Sequence, residues 1–351
     1  MRTVAHLDMD AFYVSVELGR RPELHGLPVI VCGSGPRAVV TTASYEARRY
    51  GVASAMPAAR ARRLCPDAVT VSPDFEAYRT MSHEVMAILR ANVDRVQVVG
   101  LDEAYLDLSG ILSPKATMRR IVAEIRERTG LGCSVGIAPS RLLAKIASEL
   151  DKPGGLVSLT REQALERFAK HSPGLVPGIG PKTVARLEGM DIRTLGQLRA
   201  APVDRLQVAF GSRQGLFLQA RAGFEDDTPV TVAREAKSQS SETTFDEDVV
   251  DPARLAGTLD RLTEHLCTRL KDRELRGRTV GIKVRLDDFS THTRARTLPE
   301  RVHDPATVGA VARELLAEFA PGRPVRLLGV RVAGLQAPFL PEKDQLELPV
   351  D

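Results

Sequence analysis

"VQVVGLDEAYLDLSG", Val96 to Gly110, sets two adjacent acids, Asp102 and Glu103, between two short apolar runs. In one unbroken strand successive side chains point to opposite faces, so the two carboxylates could not share a ligand. A turn near Gly100 removes the difficulty. The stretch then reads as a hairpin of roughly residues 95–99 and 104–108, with both acids at its tip, where functional groups tend to sit. A solvated turn is the ordinary explanation for such a pair, and the flanking sequence has to decide.

Upstream, "TVAHLDMD" alternates from Val4 to Asp10 as a strand does, with Asp8 near its C-terminal end and a helix following at once. From Asp74, a plausible N-cap, "DFEAYRTMSHEVMAILRANV" places Phe75, Tyr78, Val85, Ile88 and Leu89 on one helical face. Beyond the hairpin, "PKATMRRIVAEIRERTG" predicts a helix with Met118, Ile121, Val122 and Ile125 inward and Gly130 as its stop, and "CSVGIA" a buried strand. The order β, α, β, β, α, β is the split βαβ arrangement, with residues 11–73 inserted after the first strand. By analogy to that fold, the first and third strands are antiparallel neighbours, which brings Asp8 beside Asp102 and Glu103. Three carboxylates at one edge repel unless protonated or bridged by cations. An oxygen-only ligand set without His or Cys suits magnesium together with substrate phosphates, and a pair of such ions serves transfer at phosphorus in polymerases and nucleases.

Composition sets the frame. A chain of 351 residues with 43 % apolar and 27 % charged side chains is long for one domain and ordinary for a multidomain globular protein. Cys32, Cys65, Cys133 and Cys267 are scattered, which argues against zinc and against a disulfide framework. No apolar run is long enough to span a bilayer, and "MRTVAHLDMD" turns acidic before a signal core could form, so a cytoplasmic location is expected. The net charge of +4 pulls weakly toward nucleic acid, but Arg276 to Arg301 holds seven basic residues against three acids.

Several further stretches suit phosphate. In "DAFYVSVE" a helix begins after Asp10, leaving backbone N–H groups near Phe12 and Tyr13 free for an anion. "TTASYEARRYGV" spaces Tyr45 and Arg48 three apart on one helical face, where phenol and guanidinium can share a phosphate. "PSRLLAKIASELDKPGG" reads as a helix entered at Ser140, with Leu142, Leu143, Ile146 and Leu150 inward and Lys145 near its middle. "LVPGIGPKTVARLEGM" puts Gly178 and Gly180 in a tight turn with Pro181 at a helix start and Lys182 after it, and resembles a helix-hairpin-helix. "TREQ", Thr160 to Gln163, has the form of a capping box.

Taken in order, "LDMDAFYVSVE", "TTASYEARRYGV", "GLDEAYLDLSG" and "GCSVGIAPSRLLAKIASELDKPGG" closely resemble the Y-family translesion DNA polymerases of the bacterial DinB type, over nearly the whole chain. The resemblance implies a multidomain α+β fold: a split βαβ (ferredoxin-like) palm at 1–10 and 74–152, fingers at 11–73, and a helical thumb at 153–230 with its helix-hairpin-helix near 172–191. A linker at 231–237, a second split βαβ little-finger domain at 238–338 and a tail at 339–351 follow. It makes Asp8, Asp102 and Glu103, with the Met9 carbonyl, the ligands of two Mg²⁺ ions. It assigns Phe12, Tyr13, Tyr45, Arg48 and Lys145 to the incoming dNTP, Tyr13 being the steric gate against ribose. Asp10 is left with an orienting role. Ala11 departs from relatives that carry a larger aromatic there, which bears on sugar selectivity.

On the same footing, primer–template DNA is the expected partner of Gly178, Gly180 and Lys182 and of a basic sheet face formed by Lys283, Arg285, His292, Arg294 and Arg296. In the tail, Gln345, Leu346, Leu348 and Val350 are spaced like a sliding-clamp-binding peptide. The expectation is a monomeric, template-directed, low-fidelity enzyme of damage tolerance without a proofreading exonuclease. A nucleotidyl cyclase and a catalytically dead DNA-binding protein are the rivals. The glycine hairpin and basic sheet weigh against the first, and retention of all three acids against the second.

Overall fold

All of Val4 to Met9 except Asp8 is buried, so this first strand, β1 (Val4–Met9), is the middle of a sheet rather than its edge. The computed structural model describes residues 2–232 and 235–336. These fall into two units, Met1–Ser34 with Ala38–Ala233, and Gly35–Arg37 with Arg234–Asp351.

In the first unit β1 is followed by α1 (Phe12–Arg20), β2 (Val29–Cys32), β3 (Val40–Ala43), α2 (Tyr45–Arg48), α3 (Ala58–Leu64) and β4 (Val69–Val71). Next come α4 (Phe75–Asn92), β5 (Val96–Val98), β6 (Glu103–Asp107), α5 (Pro114–Thr129), β7 (Cys133–Ala138), α6 (Arg141–Glu149) and β8 (Leu156–Ser158). The helices α7 (Arg161–Arg167), α8 (Pro181–Glu188), α9 (Leu195–Ala200), α10 (Val203–Phe210) and α11 (Ser212–Ala222) complete the unit.

The main sheet has the order β5-β6-β1-β7-β8, and β1 runs antiparallel to both β6 and β7. That is the split βαβ order the sequence predicts, with one addition: β8 pairs parallel with β7, so the sheet runs past residue 152. The inserted segment forms its own small sheet, β3-β2-β4. On one face of the main sheet Ala5, Leu7 and Met9 of β1 meet Ala104 and Leu106 of β6 and the inward residues of α4 and α5. Val122 and Phe75, expected inward, are only partly covered; Phe75 is 43 % exposed.

The other face carries Val4 and Tyr105 and is covered by α6 and the helices that follow. It is reached through a glycine. A Cβ built on Gly136 of β7 would lie 2.0 Å from the Ala144 carbonyl oxygen and 2.4 Å from the Ser148 nitrogen, so α6 presses on the strand where it has no side chain. The helix ends obey local chemistry. The side chains of Asp74 and Ser140 accept from the Ala77 and Leu143 nitrogens, and Gly130 takes a left-handed φ of 72°. Thr160 and Gln163 close the expected capping box, and Thr194 and Gln197 close a second that "TLGQ" spells equally clearly.

The second unit contains β9 (Ser238–Val249), α12 (Pro252–Asp272), β10 (Gly277–Leu286), β11 (Thr291–Val302), α13 (Pro305–Phe319) and β12 (Val325–Ala333). The element order repeats β, α, β, β, α, β, but the sheet order is β11-β10-β12-β9. Both βαβ units are still split by a strand, but β12 divides the first and β10 the second, an order different from that of the first unit.

Register corrects the expected basic face. Arg296, Arg294 and His292 pair with Val280, Ile282 and Val284, whose side chains form the core against the helices. Cross-strand partners share a face. Arg294 therefore lies over the Phe319 ring at 5.1 Å, and Arg296 is held by Glu314 and Glu318 of α13. Lys283 and Arg285 point the other way, beside Thr293 and Thr291. The expected tail residues Gln345, Leu346, Leu348 and Val350, and residues 233 and 234 of the expected linker, lie outside the described residues.

A Gly136→Ala variant should lose about 3 kcal/mol by overpacking against backbone, read as a thermal midpoint lowered by roughly 6–12 °C. Gly19→Ala, where a Cβ meets nothing within 4 Å, is the control and should leave the midpoint unchanged or raise it. Equal midpoints for the two variants would show that α6 does not depend on the bare strand.

Candidate active site

Asp8 and Glu103 are directly opposite in the β1–β6 register and share the α6 face. Asp102 precedes β6 in the turn, where its carboxylate lies over Gly100 and its carbonyl accepts from the Met9 nitrogen at 2.9 Å. Ligand atoms of His6, Asp8 and Glu103 fall within 4.8 Å of one another. Asp102 stands outside this tight group, yet it is close enough for charge to act. Burial first, and then the Asp8 carboxylate, raise the Asp102 carboxyl above its usual range.

Each of the paired acids has its own cation. Lys152 donates to Asp8 Oδ1 at 2.7 Å and also to Glu149, while Lys145 is bonded to Glu103 Oε2. His6 is fully buried. Its Nε2 lies 3.2 Å from Glu103 Oε2 and its Nδ1 2.8 Å from Ser148 Oγ. The His6 hydrogen bond, with Lys145 behind it, holds the Glu103 carboxyl down to about 2 against the burial that would raise it. Burial lowers the His6 pKa, against the Glu103 hydrogen bond that would raise it. An ionised carboxylate only accepts, hence Nε2 carries a proton toward Glu103, while the Ser148 hydroxyl also donates to the Lys145 carbonyl at 2.8 Å.

Asp10, expected to orient the site, ties several elements together. It is 7 % exposed; Oδ1 accepts from Ser134 Oγ at 2.8 Å and Oδ2 from the Gly154 nitrogen at 2.8 Å. The Tyr45 hydroxyl reaches Oδ1 at 3.5 Å, so Asp10 links β1, β7, the loop after α6 and the inserted α2. Arg48 stacks over the Tyr45 ring at 4.8 Å, confirming that these two side chains share one side of α2. Burial, and then Asp10, raise the Tyr45 phenol.

Ahead of these groups α1 starts at Ala11, whose φ of 45° is left-handed and whose side chain offers no cap. Phe12 is buried with its side chain in the core, leaving its backbone as its contribution to any anion site. Tyr13 is half-buried, tilted on Tyr78 at 4.6 Å and edge-on to Phe75 at 5.9 Å, which fixes the phenol in an aromatic box. Burial, then Asp102, raise its pKa, placing that acid on the Tyr13 side of the cluster.

The cluster also contains residues that sequence reasoning passed over. His6 is two before Asp8 in β1, hence on the same face, and a polar residue inside an apolar strand was a readable signal. Lys152 follows Lys145 by seven residues in the quoted "AKIASELDKPGG", in the turn just past the end of α6. Lys145 and Lys152 take different carboxylates: Lys145 shares a cavity with Tyr105 and Arg141, and Lys152 lies toward Tyr45.

Farther along, Gly178 has a φ of 96° and Gly180 is the N-cap of α8, with Pro181 as its first residue and Lys182 exposed. The element before this turn is a single 3₁₀ turn, Pro173–Leu175, rather than an α-helix.

Residues 7–149 match the impB/mucB/samB family, residues 236–348 its C-terminal domain, and residues 174–221 the DNA polymerase-iota thumb domain. The chain is 44 % identical to DNA polymerase IV of Methanoculleus marisnigri and 45 % identical to DNA polymerase IV of Alkalilimnicola ehrlichii, in each case over 95 % of both chains. DNA polymerase IV of Streptomyces coelicolor is 44 % identical over 95 % of this chain and 71 % of its own. Among solved structures, a Y-family DNA polymerase chimera aligns with a TM-score of 0.86 at 25 % identity, covering 95 % of this chain and 99 % of the other. With its fold, its paired carboxylates and these matches in agreement, the chain belongs to the impB/mucB/samB family, the Y-family DNA polymerases of DinB type.

Proposed function

We propose that this chain, a DNA-directed DNA polymerase by family, performs template-directed, low-fidelity translesion synthesis without a proofreading exonuclease. The primer 3′-hydroxyl gives up its proton to solvent, its oxygen bonds to the α-phosphorus of a dNTP, the α–β bridging bond breaks, and pyrophosphate leaves. The observation that carries this reading is the Asp8–Glu103 pair, opposite on one sheet face and each held by its own lysine.

The donor set fits a hard divalent cation: carboxylate oxygens of Asp8, Glu103 and Asp102 with the Met9 carbonyl, at a place where two ammonium groups already answer the negative charge. Two Mg²⁺ ions held there would activate the attacking hydroxyl and offset charge on the phosphates. The remaining work belongs to side chains and backbone. His6 and Lys145 orient Glu103, and Asp10 ties the two sheet strands to α2. Tyr45, Arg48, Lys152 and the uncapped start of α1 hold the triphosphate, with Lys152 replacing Lys145 in that role because it sits on the Asp8 and Tyr45 side. Tyr13, rigid in its aromatic box, meets the sugar.

Permissiveness is supported by the insertion, where Ala53, Ser54, Ala55 and Ala59 are small and exposed and Ala58 turns into the core. In this reading residues 1–10 and 74–152, with the strand at 156–158, are the palm and 11–73 the fingers. The helices to residue 230 are the thumb and residues 238–338 the little finger. Gly178, Gly180 and Lys182 would touch a DNA phosphate, and Lys283 and Arg285, without Arg294 and Arg296, would face DNA from the open sheet. Clamp binding through the tail and a monomeric state complete the proposal.

Asp8→Ala and Glu103→Ala should each reduce primer extension by about 10³-fold or more, equal to about 4 kcal/mol of barrier; extension at the wild-type rate would remove them from the chemistry. Tyr13→Ala should raise ribonucleotide incorporation by roughly 10²-fold or more, and unaltered discrimination would end its role as a gate. His6→Ala should weaken Mn²⁺ binding, measured directly by titration calorimetry, by roughly 10–100-fold, with part of the affinity returned by His6→Gln, which keeps a donor toward Glu103. Equal affinities in the three proteins would reduce His6 to a core residue.

A further inference from the structure

On the Glu103 side of the cluster lies a cavity of about 220 Å³, lined by Tyr105, Arg141, Lys145, Pro177, Arg221 and Asp226 among others, all within the first unit. Its charges do not cancel. Arg141, the first residue of α6, lies over the Tyr105 ring with its Cζ 4.4 Å from the centroid, and its Nε is buried without a hydrogen-bond partner. The remaining contact of its guanidinium among the described residues is a long one, 3.4 Å from Nη1 to the Pro229 carbonyl. Neither Arg141 nor Arg221 has a carboxylate at salt-bridge distance among the described residues, whereas Lys145 is bonded to Glu103.

The one acid in the wall is already committed. Asp226 Oδ2 accepts from the Leu142 nitrogen at 2.9 Å, and Oδ1 accepts from the Thr228 hydroxyl at 2.6 Å. Hydrogen bonds of this kind hold the carboxylate in place; its charge is felt by Arg221, but neither guanidinium has a carboxylate within salt-bridge distance among the described residues, and a single acid faces two arginines and Lys145. A phosphate diester, with a single negative charge and two free oxygens, meets that need.

Position tells which phosphate. In an in-line displacement the attacking and leaving oxygens lie on opposite sides of the phosphorus. Lys152, Tyr45 and Arg48 lie toward Asp8 and Asp10, the proposed triphosphate side, whereas Lys145 and this cavity lie across Glu103 from them. Pro177 in the wall immediately precedes Gly178, so the cavity adjoins the glycine turn proposed to hold a strand phosphate. We infer that this cavity is a subsite for one backbone phosphate of the primer strand close to its 3′ end, with Arg141 and Arg221 as its ligands. The inference rests on the polymerase reading above.

The test uses the full chain and a fluorescent primer–template duplex, without dNTP, followed by anisotropy across a salt series. Arg141→Gln and Arg221→Gln keep much of each side-chain stem while removing its charge. Each should weaken binding about tenfold near 0.1 M salt and make the log–log salt slope shallower by about 1. A walk of single neutral methylphosphonate linkages along each strand then locates the contact. One primer-strand linkage should weaken the wild type but leave Arg141→Gln nearly unaffected, with thermal midpoints equal across the proteins. Unchanged affinity in both variants would overturn the subsite, as would a coupled linkage on the template strand or an effect of Arg141→Gln that is the same at every linkage. A lowered midpoint in Arg141→Gln moves the decision to Arg221→Gln under the same criteria. Primer extension by the wild type separates the two levels: its absence sinks the polymerase reading and this subsite together, whereas extension with unaltered DNA affinity in the variants sinks the subsite alone.

Discussion

Two carboxylates placed directly opposite each other in an antiparallel pair repel, and much of the first unit is arranged around that repulsion. The β1–β6 register sets Asp8 against Glu103 on one face. Lys145, in the middle of α6, and Lys152, just past its end, answer the charge, and His6 adds a hydrogen bond to Glu103. Those donors reach the acids because α6 can lie against β7 at Gly136, the register partner of His6. A single bare position in a strand thus governs where Ser148 and Lys145 stand.

The same local logic explains why the neighbouring acids, Asp102 and Glu103, behave oppositely. Glu103 is in the strand and collects hydrogen bonds that stabilise its charge. Asp102 is in the turn, half-buried near Asp8 without a comparable set of donors, and is pushed the other way. Asp107, four residues on from Glu103, has a simpler part: it accepts from the Ser109 nitrogen at 3.0 Å and faces Arg95, closing the end of the strand.

The two units share an element order and differ in strand order. Hydrophobic periodicity reports which face of each element is buried, but it says nothing of which strand lies beside which. In "THTRART" alternation put His292, Arg294 and Arg296 on one face, as it should. Whether that face was open or covered depended on pairing with Val280, Ile282 and Val284, and the pairing turned the arginines toward α13. An arginine caught between two glutamates is poorly placed to meet a phosphate.

Much was legible from residues alone. The split βαβ order, the caps at Asp74, Ser140, Gly130 and Thr160, and the meeting of Asp8 with the acids of the hairpin all follow from local patterns joined to one topology. Tyr45 and Arg48 could be paired from their spacing in a helix. Tertiary structure decided what depends on long-range register: the different carboxylates met by Lys145 and Lys152, the tie made by Asp10, the buried His6 beneath Glu103, and the faces of the second sheet. The physical reason is that short-range sequence fixes backbone conformation and the direction of each side chain, whereas the partner a side chain meets is set by elements far away in the chain, brought close only by burial of a common core.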